Sequence, residues 1–250
     1  MRKVFTTLAV LLLLAVIAAP PAQAAGTLAG TSISNQAYAD YKDANGNDMT
    51  RVFSNTVTVT VSQVAAVAID PATGSQSVNA DTTITYLVQL FNHGNAPDSQ
   101  TFSYATSGAW TPDSVKMYYD INNDHLYTAG TDVLLTETVA GSKTYKTVNN
   151  LGAAVLIAAD DDYDVIMEVK VPNTATNNQS CVITVTTQSD FDNTKTATGT
   201  YTTTVLAAAL AAVKTHTPAG TPTYLKPGDT ITYTITLTNS GSSPATAVTV

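Results

Sequence analysis

The sequence predicts an all-β chain of sandwich modules in tandem, and three observations carry that prediction. The first is alternation: many short runs place apolar and polar residues in turn, the pattern of half-buried strands. The second is punctuation of those runs by Gly, Pro, Asn and Asp, the residues that tight turns demand. The third is an internal repeat. Asp81–Asp98 (DTTITYLVQLFNHGNAPD) returns as Asp229–Ala245 (DTITYTITLTNSGSSPA), with Ile84, Tyr86, Asn92, Gly94 and Pro97 recurring at Ile231, Tyr233, Asn239, Gly241 and Pro244. The offset is a constant 147 residues (84 to 231, 97 to 244). Both copies close in Asn-x-Gly-x-x-Pro, a turn signature. A repeat on this scale fixes architecture before any single residue is weighed.

Residues 1–24 form a secretory signal. Arg2 and Lys3 supply the positive start, Leu8–Ala18 an apolar core too short to span a bilayer, and Ala22-Gln23-Ala24 the small-x-small cleavage pattern before Ala25. Cleavage removes two of the eleven basic residues and no acid, leaving nine against nineteen acids and a net charge of −10. Such a surface is repelled by phosphate backbones and anionic headgroups, which argues against nucleic-acid partners. Beyond the signal no apolar run reaches spanning length, so no membrane span is expected in the mature chain. The expected location is extracellular or at the cell surface.

Residues 25–63 read as an N-terminal β-hairpin. Ile33–Tyr41 leads into Lys42–Asp48, where Asn45-Gly46 permits a left-handed turn, and Phe53–Val61 returns with Val57, Val59 and Val61 on one face. This hairpin is suited to completing a neighbour's sheet. Residues 64–205 make the one complete module, with strands expected near Ala65–Ile69, Thr83–Phe91, Thr101–Thr106, Ser114–Tyr119, Val133–Thr138, Tyr163–Val171, Val182–Gln188 and Ala197–Val205. That count of short strands fits an immunoglobulin-like β-sandwich, and the surplus over about 100 residues is assigned to a hairpin inserted at Thr111–Leu151. Residues 206–250 are a linker and the start of a second such repeat, truncated at Val250. Leu206–Val213 is alanine-rich enough for a short helix. Its repeat counterpart Gln63–Ile69 is β-like, so an extended strand is expected, with Val67 matched to Val213.

The stretch Lys226–Val250 (KPGDTITYTITLTNSGSSPATAVTV) resembles the opening of the bacterial conserved repeat domain, the immunoglobulin-like domain of unknown function number eleven. The resemblance is looser over Thr31–Thr204. It implies a secreted or surface-attached protein whose repeats act as spacers or adhesive stalks, and it brings no catalytic residues with it.

The one stretch with ligand chemistry is Asp120–Asp132 (DINNDHLYTAGTD). Asp120, Asn122 and Asp124 take positions one, three and five of a calcium loop, with Leu126 offering a backbone oxygen and Thr128 a hydroxyl or water. His125 stands at position six where Gly is usual, Thr131 at position twelve, and Asp132 follows one step late. Two readings compete: a Ca²⁺ site, or an Asx-turn-rich hairpin tip between Met117–Tyr119 and Val133–Leu135. Asp160–Asp164 is a second acidic run, read as a solvated turn because consecutive side chains diverge.

Catalytic signatures are sparse. His93, His125 and His216 lie scattered in turns or linkers, and the two glutamates, Glu137 and Glu168, fall on alternating strands. No G-x-S-x-G, H-E-x-x-H or P-loop pattern occurs. Trp110 is open to a sugar-stacking role or to one as a core or rim anchor. Cys181, the sole cysteine, sits in an alternating run and is expected to be a buried, inert thiol. The function these features favour is a non-catalytic structural or adhesion protein meeting other surface proteins or polysaccharide. The alternatives are a calcium-dependent carbohydrate- or protein-binding module and an accessory domain of a secreted hydrolase.

Overall fold

A computed structural model describes residues 26–217 and 226–250. The predicted signal, residues 1–24, lies outside the described residues. The described chain is all β, with sixteen strands and no helix, and therefore no helix able to cross a membrane. The described residues divide into two units, with the boundary between Ser62 and Gln63.

The first unit is an interrupted hairpin. Strand β1 (Ser32–Asn35) pairs antiparallel with β4 (Val57–Thr60), and β2 (Tyr38–Ala39) with β3 (Val52–Phe53). Arg51 pins the tip: its guanidinium donates twice to Asp40, at 2.7 and 2.9 Å, and lies 4.0 Å over the Tyr38 ring. No described residue of this unit is buried. Ile33, Val57 and Val59, cross-strand neighbours on β1 and β4, all expose more than half their surface.

The second unit is built around two five-stranded sheets. Along the chain come β5 (Val67–Asp70), β6 (Thr73–Asn79), β7 (Thr83–Asn92), β8 (Gln100–Gly108), β9 (Ser114–Tyr119), β10 (Val133–Leu134), β11 (Thr144–Lys146), β12 (Asp161–Lys170), β13 (Ser180–Ser189) and β14 (Thr196–Leu206). One sheet has the order β10-β9-β12-β7-β5, the other β11-β8-β13-β14-β6. Every pairing is antiparallel except β14 with β6.

Alternation decides which side chains meet between the sheets. Tyr86, Val88 and Leu90 of β7 and Tyr163, Val165, Met167 and Val169 of β12 face Phe102 of β8, Cys181, Ile183 and Val185 of β13, and Tyr201 and Val205 of β14. Fully burying each aliphatic side chain contributes about 1.5–3 kcal/mol. Polar groups inside the core are paired, both between the sheets and within one. Tyr86 donates to the Thr202 carbonyl at 2.9 Å. Gln100 donates to the Phe91 carbonyl at 2.9 Å and accepts from Thr187 at 2.6 Å. Cys181 is a buried free thiol, and burial pushes its pKa up.

Two elements differ from expectation. The segment Thr111–Leu151, expected as an inserted hairpin, contains the antiparallel pair β9 and β10 but is also part of both sheets: β9 pairs with β12 over six residues, β11 edges the opposite sheet, and Met117, Leu135 and Tyr145 enter the core. Thr73–Asn79, polar enough to pass for a loop, is strand β6. It runs along the sheet's edge, where Gly74 leaves room for Tyr201: a Cβ there would stand 2.8 Å from the ring.

The remaining strands, β15 (Leu210–Thr217) and β16 (Thr232–Asn239), form a separate antiparallel pair. The alanine-rich linker is extended here, as expected. Its match to the first copy is shifted, however. Val67 pairs with Asn92, while Leu210 pairs with Asn239, so the counterpart of Val67 is Leu210 and not Val213. Sequence similarity between the two linkers is too slight to fix register; the pairing to the repeated strand fixes it. The turn itself is built the same way twice. Asn92 accepts from the Gly94 amide at 2.9 Å and donates to the Ala96 carbonyl at 2.9 Å. Asn239 accepts from the Gly241 amide at 3.0 Å and donates to the Ser243 carbonyl at 2.9 Å. The first copy is enclosed by the sandwich, whereas Tyr233, Ile235 and Leu237 of the second are exposed.

Candidate functional site

The loop Asp120–Asp132 joins β9 to β10 at the edge of one sheet and folds over that sheet's outer face. Along β12 the odd residues enter the core, so Asp162, Asp164 and Ile166 point outward. Along β9 the outward residues include Tyr118 and then Asp120. The loop covers this patch through Tyr127, whose ring lies 4.6 Å from that of Tyr118. Asp120, Asp164, Tyr118 and Ile166 are consequently buried although they face away from the core, at 2%, 5%, 7% and 1% exposure.

Register places three carboxylates in one row. Tyr119 pairs with Val165 on one side and with Val133 on the other. The next rung sets Asp120 opposite Asp164 and Asp132, and the Asp120 amide donates to the Asp164 carbonyl at 3.1 Å. Beyond Asp164 the row continues to Gln89.

The nominated residues fall into two groups. Asn122, Asp124 and Thr128 are engaged with one another in the exposed part of the loop. Asn122 donates to Asp124 at 2.8 Å, the Leu126 amide donates to Asp124 at 2.9 Å, and the Thr128 hydroxyl adds a contact at 3.2 Å. The Leu126 amide, with Asn122 and Thr128, holds the Asp124 carboxyl below the usual carboxylate range. Leu126 itself exposes 68% of its surface. Asp120 and Asp132 close the loop instead: Asp120 Oδ2 accepts from the His125 amide at 2.7 Å, and Asp132 Oδ2 from the Thr128 amide at 2.6 Å. His125 takes a left-handed φ of 62°, so the sharp bend expected of Gly at position six is made without it.

The run Asp160–Asp164 departs from the solvated turn expected of it. Asp161–Asp164 open strand β12, and Asp164 is buried, with His125 Nε2 3.2 Å from its Oδ2. Burial, with Asp162 beside it, pushes the Asp164 carboxyl above its ordinary pKa. The sequence carried one sign of this: Asp162 and Asp164 alternate with Tyr163 and Val165, and period two sends them to the opposite face from the core. A cleft of about 350 Å³ beside the row is lined by Asp120, Asn123, Leu156, Asp161, Asp162 and Asp164 among others. Among the described residues no three His, Cys, Asp or Glu side chains are already gathered as a metal cage.

Other nominated positions are structural. Trp110 is buried in the core with its indole N–H 3.3 Å from the Gln179 carbonyl, so its face is not open for stacking on a sugar. Glu168 pairs with Lys116 at 2.8 Å, and Glu137 accepts the Gly141 and Lys143 amides. His93 stacks on Phe91 at 5.4 Å.

No protein-family model matches the chain, and no curated protein matches it. Among solved structures it is similar to part of a family 123 glycoside hydrolase from Clostridium perfringens, at 9% identity and a TM-score of 0.36, over 57% of this chain and 27% of that one. The chain thus spans about a quarter of that hydrolase. It is also similar to a PapD-like domain of human CEP192, at 11% identity and a TM-score of 0.31, over 57% of this chain and 87% of that domain. A third is the sixth cohesin of scaffoldin B from Acetivibrio cellulolyticus, solved in complex with a dockerin, at 11% identity and a TM-score of 0.29, over 56% of this chain and 98% of the cohesin. At these values nothing of their binding or chemistry transfers to this chain.

Proposed function

We propose that this chain is a non-catalytic, exported protein of tandem β-sandwich modules that acts as a structural or adhesive element at the bacterial cell surface. The observation that carries this reading is the twice-built Asn-x-Gly unit. One copy is closed within ten strands and the other stands as an open strand pair, with the same turn hydrogen bonds in each. A module that is repeated in series serves reach and multiple contact better than it serves turnover. The exposed apolar side chains of the N-terminal hairpin, Ile33, Val57 and Val59, suit packing against an adjoining module. The acidic charge favours protein or polysaccharide partners over nucleic acid.

The test is to display the mature chain on a bacterial surface and measure attachment to immobilised envelope protein and polysaccharide. The same folded protein is then assayed against glycoside, ester and peptide substrates. Attachment that depends on the folded chain, with no turnover, is the expected result. Hydrolysis that survives purification and disappears when the chain is unfolded would overturn the reading.

A further inference from the structure

We infer that Asp120, Asp132 and Asp164 form a divalent-cation site, filled by calcium, that staples the Asp120–Asp132 loop to strand β12. The observation behind it is a matched set of orphan atoms. Oδ1 of Asp120, Oδ1 of Asp132 and Oδ1 of Asp164 are each buried without a hydrogen-bond partner. Buried polar atoms are almost always paired, and an unpaired carboxylate oxygen is among the costliest to leave so. The three residues fall in one cross-strand row, on the rung that follows Tyr119, Val165 and Val133. In each residue the other oxygen is engaged, by the His125 amide, the Thr128 amide and the His125 ring respectively. One oxygen fixes the carboxylate and the other is left over.

Distance and charge agree on what fills the gap. Strands about 4.8 Å apart put Asp132 and Asp164 roughly 10 Å from each other with Asp120 between them. A calcium ion reaches its oxygens at about 2.4 Å, so it spans about 5 Å of that width and the carboxylate arms supply the rest. Neighbouring carboxylates at cross-strand spacing repel, and burial strengthens that repulsion. A hard divalent ion with oxygen ligands reverses its sign. Calcium fits better than magnesium because it accepts an irregular set of six to eight oxygens, including water from the adjacent cleft. Asp164 is the informative member: it lies 44 residues from Asp120, outside any loop pattern, and only the sheet brings it there.

The experiment uses the full mature chain stripped with chelator. Calcium is titrated while thermal unfolding is followed, and terbium luminescence sensitised by Tyr118, Tyr119 and Tyr127 reports occupancy directly. Calcium is expected to raise the Tm by several degrees and to displace terbium. Asp164→Asn and Asp132→Asn should each weaken binding at least tenfold. Without calcium both variants should unfold at or above the wild-type temperature, because a like charge has been removed; a purely structural carboxylate would give the opposite. Unfolding curves that coincide with calcium and with chelator, together with no terbium signal, would overturn the inference. So would Asp164→Asn and Asp132→Asn binding calcium as tightly as wild type. If Asp164→Asn fails to fold, Asp132→Asn, at the sheet's edge, decides alone.

Discussion

Replacing Asn92 and Asn239 separately by Ala measures how far burial, and not hydrogen-bond count, sets the worth of the repeated turn. Asn92 is 1% exposed and makes three bonds: it accepts from Gly94 N–H and donates to the carbonyls of Ala96 and Ile157. The Ile157 carbonyl also accepts from the Asp98 amide and stays satisfied without Asn92. The Gly94 N–H is buried and donates to Asn92, so stranding it costs about 1–3 kcal/mol, and each lost donation about 1 kcal/mol. The sum for Asn92→Ala is about 3 kcal/mol, or roughly 6–12 °C in Tm for a unit of this size. Asn239 makes the corresponding bonds to Gly241 and Ser243, and a further one from the Ala209 amide, all at exposed positions. Water replaces them, and Asn239→Ala should cost less than about 1 kcal/mol. Urea unfolding read by far-UV circular dichroism gives both values. Asn92→Asp supplies a control, since it keeps the acceptor for Gly94 but turns two donations into repulsions; it should cost at least as much as Ala. Equal losses at 92 and 239, or a loss under 1 kcal/mol at 92, would refute the reasoning.

Three further outcomes are expected. Cys181 should label with a thiol reagent only at the rate of global unfolding, because it is buried and its thiol pKa is raised; fast labelling of the native protein would contradict this. Stability should fall in alkali. Burial raises the Tyr145 phenol to about 12 and pushes Tyr163 and Tyr201 higher still, so the fold favours their neutral forms. That contribution is fully present below the ordinary value of 10.0 and is lost as pH rises through the folded values, visible as tyrosinate absorbance appearing together with unfolding. Gly74→Ala should destabilise by about 1–3 kcal/mol, since its Cβ would press on Tyr201 and Tyr86 in a filled core; an unchanged midpoint would show that the rings give way freely.

What the sequence disclosed follows from where each signal resides. Strands β7, β13 and β14 alternate over nine or more residues with a buried face, which makes them readable from that alone, whereas β12 is buried on both faces through Tyr163–Met167. Strand β6 carries Thr, Gly, Ser, Gln and Asn at an edge, where one face needs no apolar residue, and nothing in its composition marks it as a strand. Strand β11 is three residues long, too short for any period to register. At the candidate site, Asp120 and Asp132 were visible as the two ends of a hairpin loop. Asp164 was not, because its nearness to Asp120 is a property of sheet register. Trp110 could not be assigned from sequence either, since whether an indole faces solvent depends on what packs over it.

The parallel pairing of β6 with β14 has a mechanical consequence. Strand β14 is the module's last and β6 follows only the four-residue β5, and seven residues of one are matched to seven of the other. Once the four-residue β5 has come away from β7, tension applied through the two ends of the module pulls the start of β6 against the finish of β14, along their common axis. The hydrogen bonds between them are then loaded together, in shear, and none can open ahead of its neighbours as in a zipper. An antiparallel pair at that position would meet the same tension at a single rung and peel from there. A module pulled at its two ends gains tensile strength from this one reversal of strand direction.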